Sequence, residues 1–207
     1  MATLAKKRDK KRLEILRSAA VAFRRRGYHG ASVDEIAREL RMTKGNLYYY
    51  FKDKEELLYF CHDYSLGLLM ELLKKVDKSK DTPKEKLRTL ITAFVHMIID
   101  ELRGTALTLD LQALSPPLLR KIIAKRDKFD RGMRRVLKDG MTRGEFRAGD
   151  PKLLTFAILG SVNWIPRWFN PAGRAHSGEI ATAFADYLIA GLSARNHAGR
   201  GKAWRGR

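Results

Sequence analysis

The sequence predicts an all-α protein, and three observations carry that prediction. Apolar residues recur at helical spacing along nearly the whole chain. No stretch alternates with the two-residue period of a strand. Capping residues, several followed by Pro, punctuate the chain where helices would begin. A hydrophobic content of 44% is ample for a buried core.

The elements follow in order. Leu13, Leu16, Ala20 and Phe23 share one helical face, Gly27 ends that helix, and Tyr28–Ala31 forms a turn. Ser32 and Glu35 read as a capping box. The helix they open buries Val33, Ile36, Ala37 and Leu40. Thr43 caps a short helix of about residues 44–50, anchored by Leu47, Tyr50 and Phe51. Asp53, with Glu56 three residues on, opens a long helix. Thr82-Pro83, Ser115-Pro116 and Asp150-Pro151 each place a capping residue before Pro at a helix start. The helix from Thr82 buries Leu87, Leu90, Ile91, Phe94, Ile98 and Leu102. The last two helices run over about 151–169 and 177–194, joined by the loop 170–176. The predicted division is a three-helix unit at 1–54, a larger helical unit at 55–195 and a basic tail at 196–207, expected to be disordered.

Charge bounds the partners. Lys and Arg number 42 against 23 Asp and Glu, a formal net charge of +19. Such an excess seeks anions: nucleic acid, a membrane surface or a phosphorylated ligand. It concentrates in residues 1–60 (+7), 120–147 (+7) and 195–207 (+5), and the rest is balanced. The single cysteine, Cys61, excludes an intrachain disulfide, and its apolar neighbours point to a buried thiol. No apolar run approaches the roughly 20 residues that span a bilayer, and no secretory pattern follows the basic start. A cytoplasmic protein with no membrane partner is expected.

Three short helices within the first 50 residues, the second and third joined by a tight turn, match a helix-turn-helix. The second helix braces the third, which leaves Lys44, Gly45, Asn46, Tyr48 and Tyr49 free to face a groove. Small and polar residues at its start permit close approach to base edges, while lysines and tyrosine hydroxyls suit phosphates. Lys54 adds charge beside the free N–H groups of the following helix. Read from the residues alone, an ordinary three-helix packing unit with a solvated basic face remains the alternative.

Residues 11–60 resemble the N-terminal domain of the TetR (tetracycline-repressor) family. The likeness rests on AAVAFRRRGYHGASVDEIAREL followed by RMTKGNLYYYFKDKEELL. It implies that Ser32, Thr43, Tyr48 and Lys54 contact phosphates and that Lys44, Asn46 and Tyr49 lie nearest the bases; Gly45 and Lys52 complete the expected contact set. It also implies a two-fold dimer whose last two helices form a four-helix bundle with the partner. Ile180, Phe184, Tyr187, Leu188, Gly191 and Leu192 make an apolar stripe that agrees.

Farther on, the stretch from Asn163 through Trp164, Pro166, Arg167 and Trp168 to Pro171 resembles a TetR branch that regulates fatty-acid and steroid degradation. Several members of that branch bind acyl-coenzyme A thioesters. Such a ligand wants an apolar tunnel, cations near its mouth and a flat group for the base. Arg167 and Trp168 could supply cation and ring. Arg120, Lys121, Lys125, Lys128, Arg131, Arg134 and Arg135 could hold phosphates. Phe94, Met97, Ile98, Leu109, Phe129, Met133 and Phe156 could line the tunnel. The alternatives are tryptophans in the core, a Pro166 that only kinks its helix, and a basic run that only faces solvent.

The expected function is a ligand-responsive repressor, a homodimer on an inverted-repeat operator in double-stranded DNA, released by a small molecule of the acyl-coenzyme A class. The competing readings are a repressor sensing another apolar or anionic ligand, or an architectural protein that binds DNA without reading it. No Walker loop, GxGxxG turn or nucleophile–base spacing suggests an enzyme. His96 and His176 stand alone, so no metal or cofactor is expected.

Overall fold

The computed structural model describes residues 2–101 and 111–193, apart from the side chains of 2–7, 24 and 101. Leu102, Leu109 and the tail expected to be disordered lie outside the described residues. The described chain forms α1 (Ala2–Gly30), α2 (Val33–Glu39), α3 (Lys44–Tyr48), α4 (Lys54–Lys78), α5 (Pro83–His96), α6 (Pro116–Thr142), α7 (Pro151–Trp168) and α8 (Ser177–Leu192). A π-turn, Met97–Glu101, continues α5, and a 3₁₀ turn, Leu111–Ala113, precedes α6.

The head is built on α1, whose helix breaks at Gly27, where φ of +68° favours a residue without Cβ. Its buried face is Ile15, Leu16, Ala19, Ala20, Ala22 and Phe23. Leu13, expected in that seam, is half-buried, because the contact face is turned toward Ile15 and Ala19. At α2 the capping box reduces to a single cap. Ser32 Oγ accepts from the Asp34 N–H at 3.2 Å, while the Glu35 carboxylate pairs with Arg26 at 3.3 Å and does not reach back. The caps elsewhere vary. Thr82 and Glu85 cap α5 reciprocally, and Asp53 and Asp150 cap α4 and α7. Ser115 makes no side-chain cap; its N–H donates instead to Glu55 at 2.6 Å, tying α6 to α4.

One helix joins head to body. The start of α4 packs on α1, and its later turns pack on α6 and α5. Along it Leu57, Leu58, Cys61, His62, Leu66, Leu69, Leu73 and Val76 are buried. The Cys61 thiol faces the Leu16 carbonyl, and burial pushes its pKa up. In the body, α5 packs against α8 and α6 against α7. The turn after α6 folds Phe146 back over Gly140, where an added Cβ would stand 2.2 Å from the ring. Pro166 sits in the last turn of α7, which ends two residues later and so needs no kink.

Candidate DNA interface and effector groove

In the head, α2 and α3 meet at a turn, and Leu47 and Phe51 bury the inner side of α3. The outer side is Lys44, Gly45, Asn46, Tyr48 and Tyr49, all exposed. Thr43 caps α3, its Oγ1 accepting from the Asn46 N–H at 3.2 Å. Lys44 is tethered to Asp34 at 2.9 Å, and that hydrogen bond raises the ammonium pKa above its ordinary value. Tyr49 stands 69% exposed, edge-on to Tyr50 and 5.8 Å from the Arg8 guanidinium. A hollow between the start of α1 and α3 is lined by Arg8, Lys10, Lys11, Arg12, Asn46 and Tyr49, among others.

Ser32 and Lys52 are also exposed beside this face. Lys54 differs from the expected free phosphate clamp. Its ammonium donates to the Ala31 carbonyl at 3.0 Å and the His29 carbonyl at 3.4 Å, 4.5 Å from the Tyr28 ring centre. It therefore secures the turn that leads into α2.

The body carries a groove of about 720 Å³ between α6 and α7, lined by Ile123, Arg126, Arg131, Arg134, Lys152, Phe156 and Asn163, among others. Several expected ligand residues do not reach it. Arg120 and Lys121 are exposed elsewhere on α6, and Lys125 pairs with Asp63 of α4. Phe94, Ile98, Phe129 and Met133 are core residues rather than a lined tunnel, with the Phe94 and Phe129 rings edge to face at 6.2 Å. Trp164 and Trp168 are neither core nor groove. They are 61% and 46% exposed, because α7 turns their side away from the protomer. Arg167 lies 5.7 Å from the Trp164 ring, and Trp168 stacks on Phe184 of α8.

Arg126 and Lys152 escaped the sequence reading. The available signal was the stripe Ile123, Arg126, Asp127, Asp130, Arg134 at spacings of three and four on α6. Of the apolar stripe on α8, Ile180 and Leu192 are buried in the protomer's own core. Phe184 and Leu188 are half-buried, Gly191 is exposed, and Tyr187 is 78% exposed. Together with Leu153, Trp164 and Trp168 of α7 they leave an uncovered apolar face on the last two helices.

Fold and exposed α3 define a helix-turn-helix DNA-binding regulator with a helical regulatory body. Residues 15–59 match the model of bacterial regulatory proteins of the tetR family, and residues 80–192 match that of the tetracyclin repressor-like C-terminal domain. The chain belongs to the TetR family of transcription regulators. The fatty acid metabolism regulator protein of Bacillus subtilis is 24% identical over 90% of this chain and 98% of that protein. The regulator PfmR of Thermus thermophilus is 35% identical, with a TM-score of 0.76 over 86% of this chain and 98% of that one. AibR, solved with isovaleryl coenzyme A and operator DNA, is 30% identical, with a TM-score of 0.73 over 88% and 98%. Among the described residues no helix is long and apolar enough to cross a membrane.

Proposed function

We propose that this regulator is a homodimeric repressor that grips an inverted-repeat operator and releases it on binding an acyl-coenzyme A thioester. The observation that carries the DNA half is the polar outer face of α3, held out by a buried Leu47 and Phe51. Lys44, Asn46 and Tyr49 read bases in this scheme, and Ser32, Thr43, Tyr48 and Lys52 meet phosphates. Residues 1–54 act as the reading head and 55–195 as the effector and dimerisation unit. The apolar face of α7 and α8 is covered by the same face of the partner, which sets two α3 helices for successive major grooves about 34 Å apart, or a multiple.

The effector half is supported by likeness to AibR and by a cation-lined groove of ligand size. Asn163 of α7 lines it, and Arg167, one turn further on, stands by the Trp164 ring. The acyl chain is assigned inward, to the layer of Phe94, Ile98, Phe129 and Met133. Opening that layer shifts α4 and so the heads, which makes thioester and operator mutually antagonistic. The protein has no catalytic step in this scheme and works in the cytoplasm.

Titration of the protein–operator complex tests it. Short and long acyl-coenzyme A thioesters are expected to dissociate the complex at micromolar concentration, where free fatty acids do not. A panel of thioesters that leaves the complex intact would defeat the effector half. Sedimentation of a Tyr187→Asp variant as a dimer indistinguishable from wild type would defeat the assembly.

A further inference from the structure

In the groove between α6 and α7 one half-buried cation lacks a counter-charge. Arg126 is half-buried there and makes no ion pair with any described residue; burial lowers its pKa, and neighbouring Asp127 only partly opposes this. His62 of α4 is fully buried near it, with Nε2 unpartnered, and burial followed by the Arg126 charge pushes its pKa down to about 4. Taking a guanidinium out of water without a counter-charge is costly, and removing a buried charge for an apolar group is often neutral or stabilising. A position that keeps such a cation facing a groove is suited to an anion from outside. Asp130 does not serve, because it is paired to Arg134.

The rim repeats the preference. The groove's charged lining is Arg126, Arg131, Arg134 and Lys152 against Asp127 and Asp130, an excess of two cations. On the α7 wall, Phe156 is 51% exposed, an uncommon state for a phenyl ring beside so many charges. Arg134 and Lys152 lie 5.8 and 5.9 Å from its centre. Asn163 presents a buried Oδ1 with no partner, an acceptor suited to an N–H donor. A half-buried cation, two rim cations, a flat apolar ring and a free acceptor together describe a nucleotide rather than a carboxylate or a simple phosphate.

We propose that this groove is an adenine-nucleotide subsite, with the diphosphate against Arg126, Arg131 and Lys152 and the base on Phe156. The inference rests on the thioester reading above. It assigns the nucleotide end of that effector to the groove and leaves the acyl end to the core.

The test uses the full-length protein and ADP as the probe, followed by calorimetry and by competition with octanoyl-coenzyme A for release of operator. ADP is expected to bind and to compete. Arg126→Met and Phe156→Ala should each weaken ADP by about tenfold or more, a charged contact or a stacked ring being worth that much. Arg126→Met should leave the unfolding midpoint level or raised, which separates loss of a contact from loss of fold. Arg120→Gln, outside the groove, should change neither value. If octanoyl-coenzyme A releases operator while ADP neither binds nor competes, the subsite is wrong and the function stands. If ADP binds with the expected variant pattern while no thioester releases operator, the site stands and the effector reading falls. Inorganic pyrophosphate binding as tightly as ADP, with Phe156→Ala silent, would overturn the nucleotide assignment.

Discussion

The reading head and the helical body obey opposite packing habits. In the head, Ile15, Phe23, Ile36, Leu47 and Phe51 are sealed in, and what reaches the surface of α3 is small, polar or phenolic. In the body, apolar rings such as Phe156, Trp164 and Trp168 stand exposed, while His62 is buried without a partner for Nε2. The head is a finished packing unit whose outer surface is the working part. The body breaks packing rules both inside and outside, and the proposed function puts a ligand at the groove and a second copy at α7 and α8.

The strongest way to break this comparison is to spoil the seal of the head. Phe51 lies 5.5 Å from the Phe60 ring and is covered by Arg12, so it joins α3 to α4 and α1. Phe51→Ala should cost about 3–5 kcal/mol, measured by denaturant unfolding. Operator binding should vanish while body helicity and groove binding persist. A variant that loses both together would show that the head has no independent seal.

The buried histidine offers the next test. His62 has an ordinary pKa of 6.5 and is held near 4 in the folded body, first by burial and then by Arg126. Above about pH 6.5 it is neutral in both states and its stabilising effect is complete. As pH falls, the unfolded chain takes up a proton that the folded body refuses. Stability should drop by about 2 kcal/mol between pH 7.5 and 5, in addition to any change from carboxylates. His62→Gln should flatten that slope. An unchanged slope would mean that His62 is wetter than the structure places it.

Read from sequence, the head was nearly transparent and the body was not. Short-range signals specify the head: Gly27, the Ser32 and Thr43 caps, and Leu47 three residues into α3. Even there, Glu35 went to Arg26, because a salt bridge to α1 competes with a cap that only local spacing suggested. In the body the basic run was visible but its assignment was not. Which cations face the groove depends on the rotation of α6 against α4 and α7. That rotation sends Lys125 to Asp63 and Arg135 to Asp77 and leaves Arg126 inside. Trp164 and Trp168 are ambiguous in the sequence for the same reason: periodicity gives a stripe, and only packing says whether the stripe meets the core, a ligand or a partner.

Base reading sharpens the head side of the comparison. Lys44→Ala and Tyr49→Ala should shift operator preference by about 1–3 kcal/mol per affected base pair, seen in competition between operator variants. Lys44 must leave Asp34 to reach a base, so Asp34→Asn should strengthen binding to all duplexes. Equal loss on every sequence from Tyr49→Ala would remove it from the reading set.

The smallest effect separates two roles for Lys54. Its hydrogen bonds to Ala31 and His29 make it a tie between the first turn of α4 and the turn before α2. Such a tie, partly exposed, is worth about 1 kcal/mol, and Lys54→Met should lower stability by that amount. If the ammonium also swings to a phosphate on binding, the variant should weaken all sequences alike and reduce the salt slope by about 1. If it remains on the carbonyls, the salt slope should match wild type, and the affinity loss should shrink when temperature or osmolyte restores the fold. Lys52, exposed and two residues earlier, is the control: Lys52→Met should reduce the salt slope with no change in unfolding. A matching salt slope for Lys52→Met would place the phosphate path away from the start of α4 and make Lys54 a structural residue only.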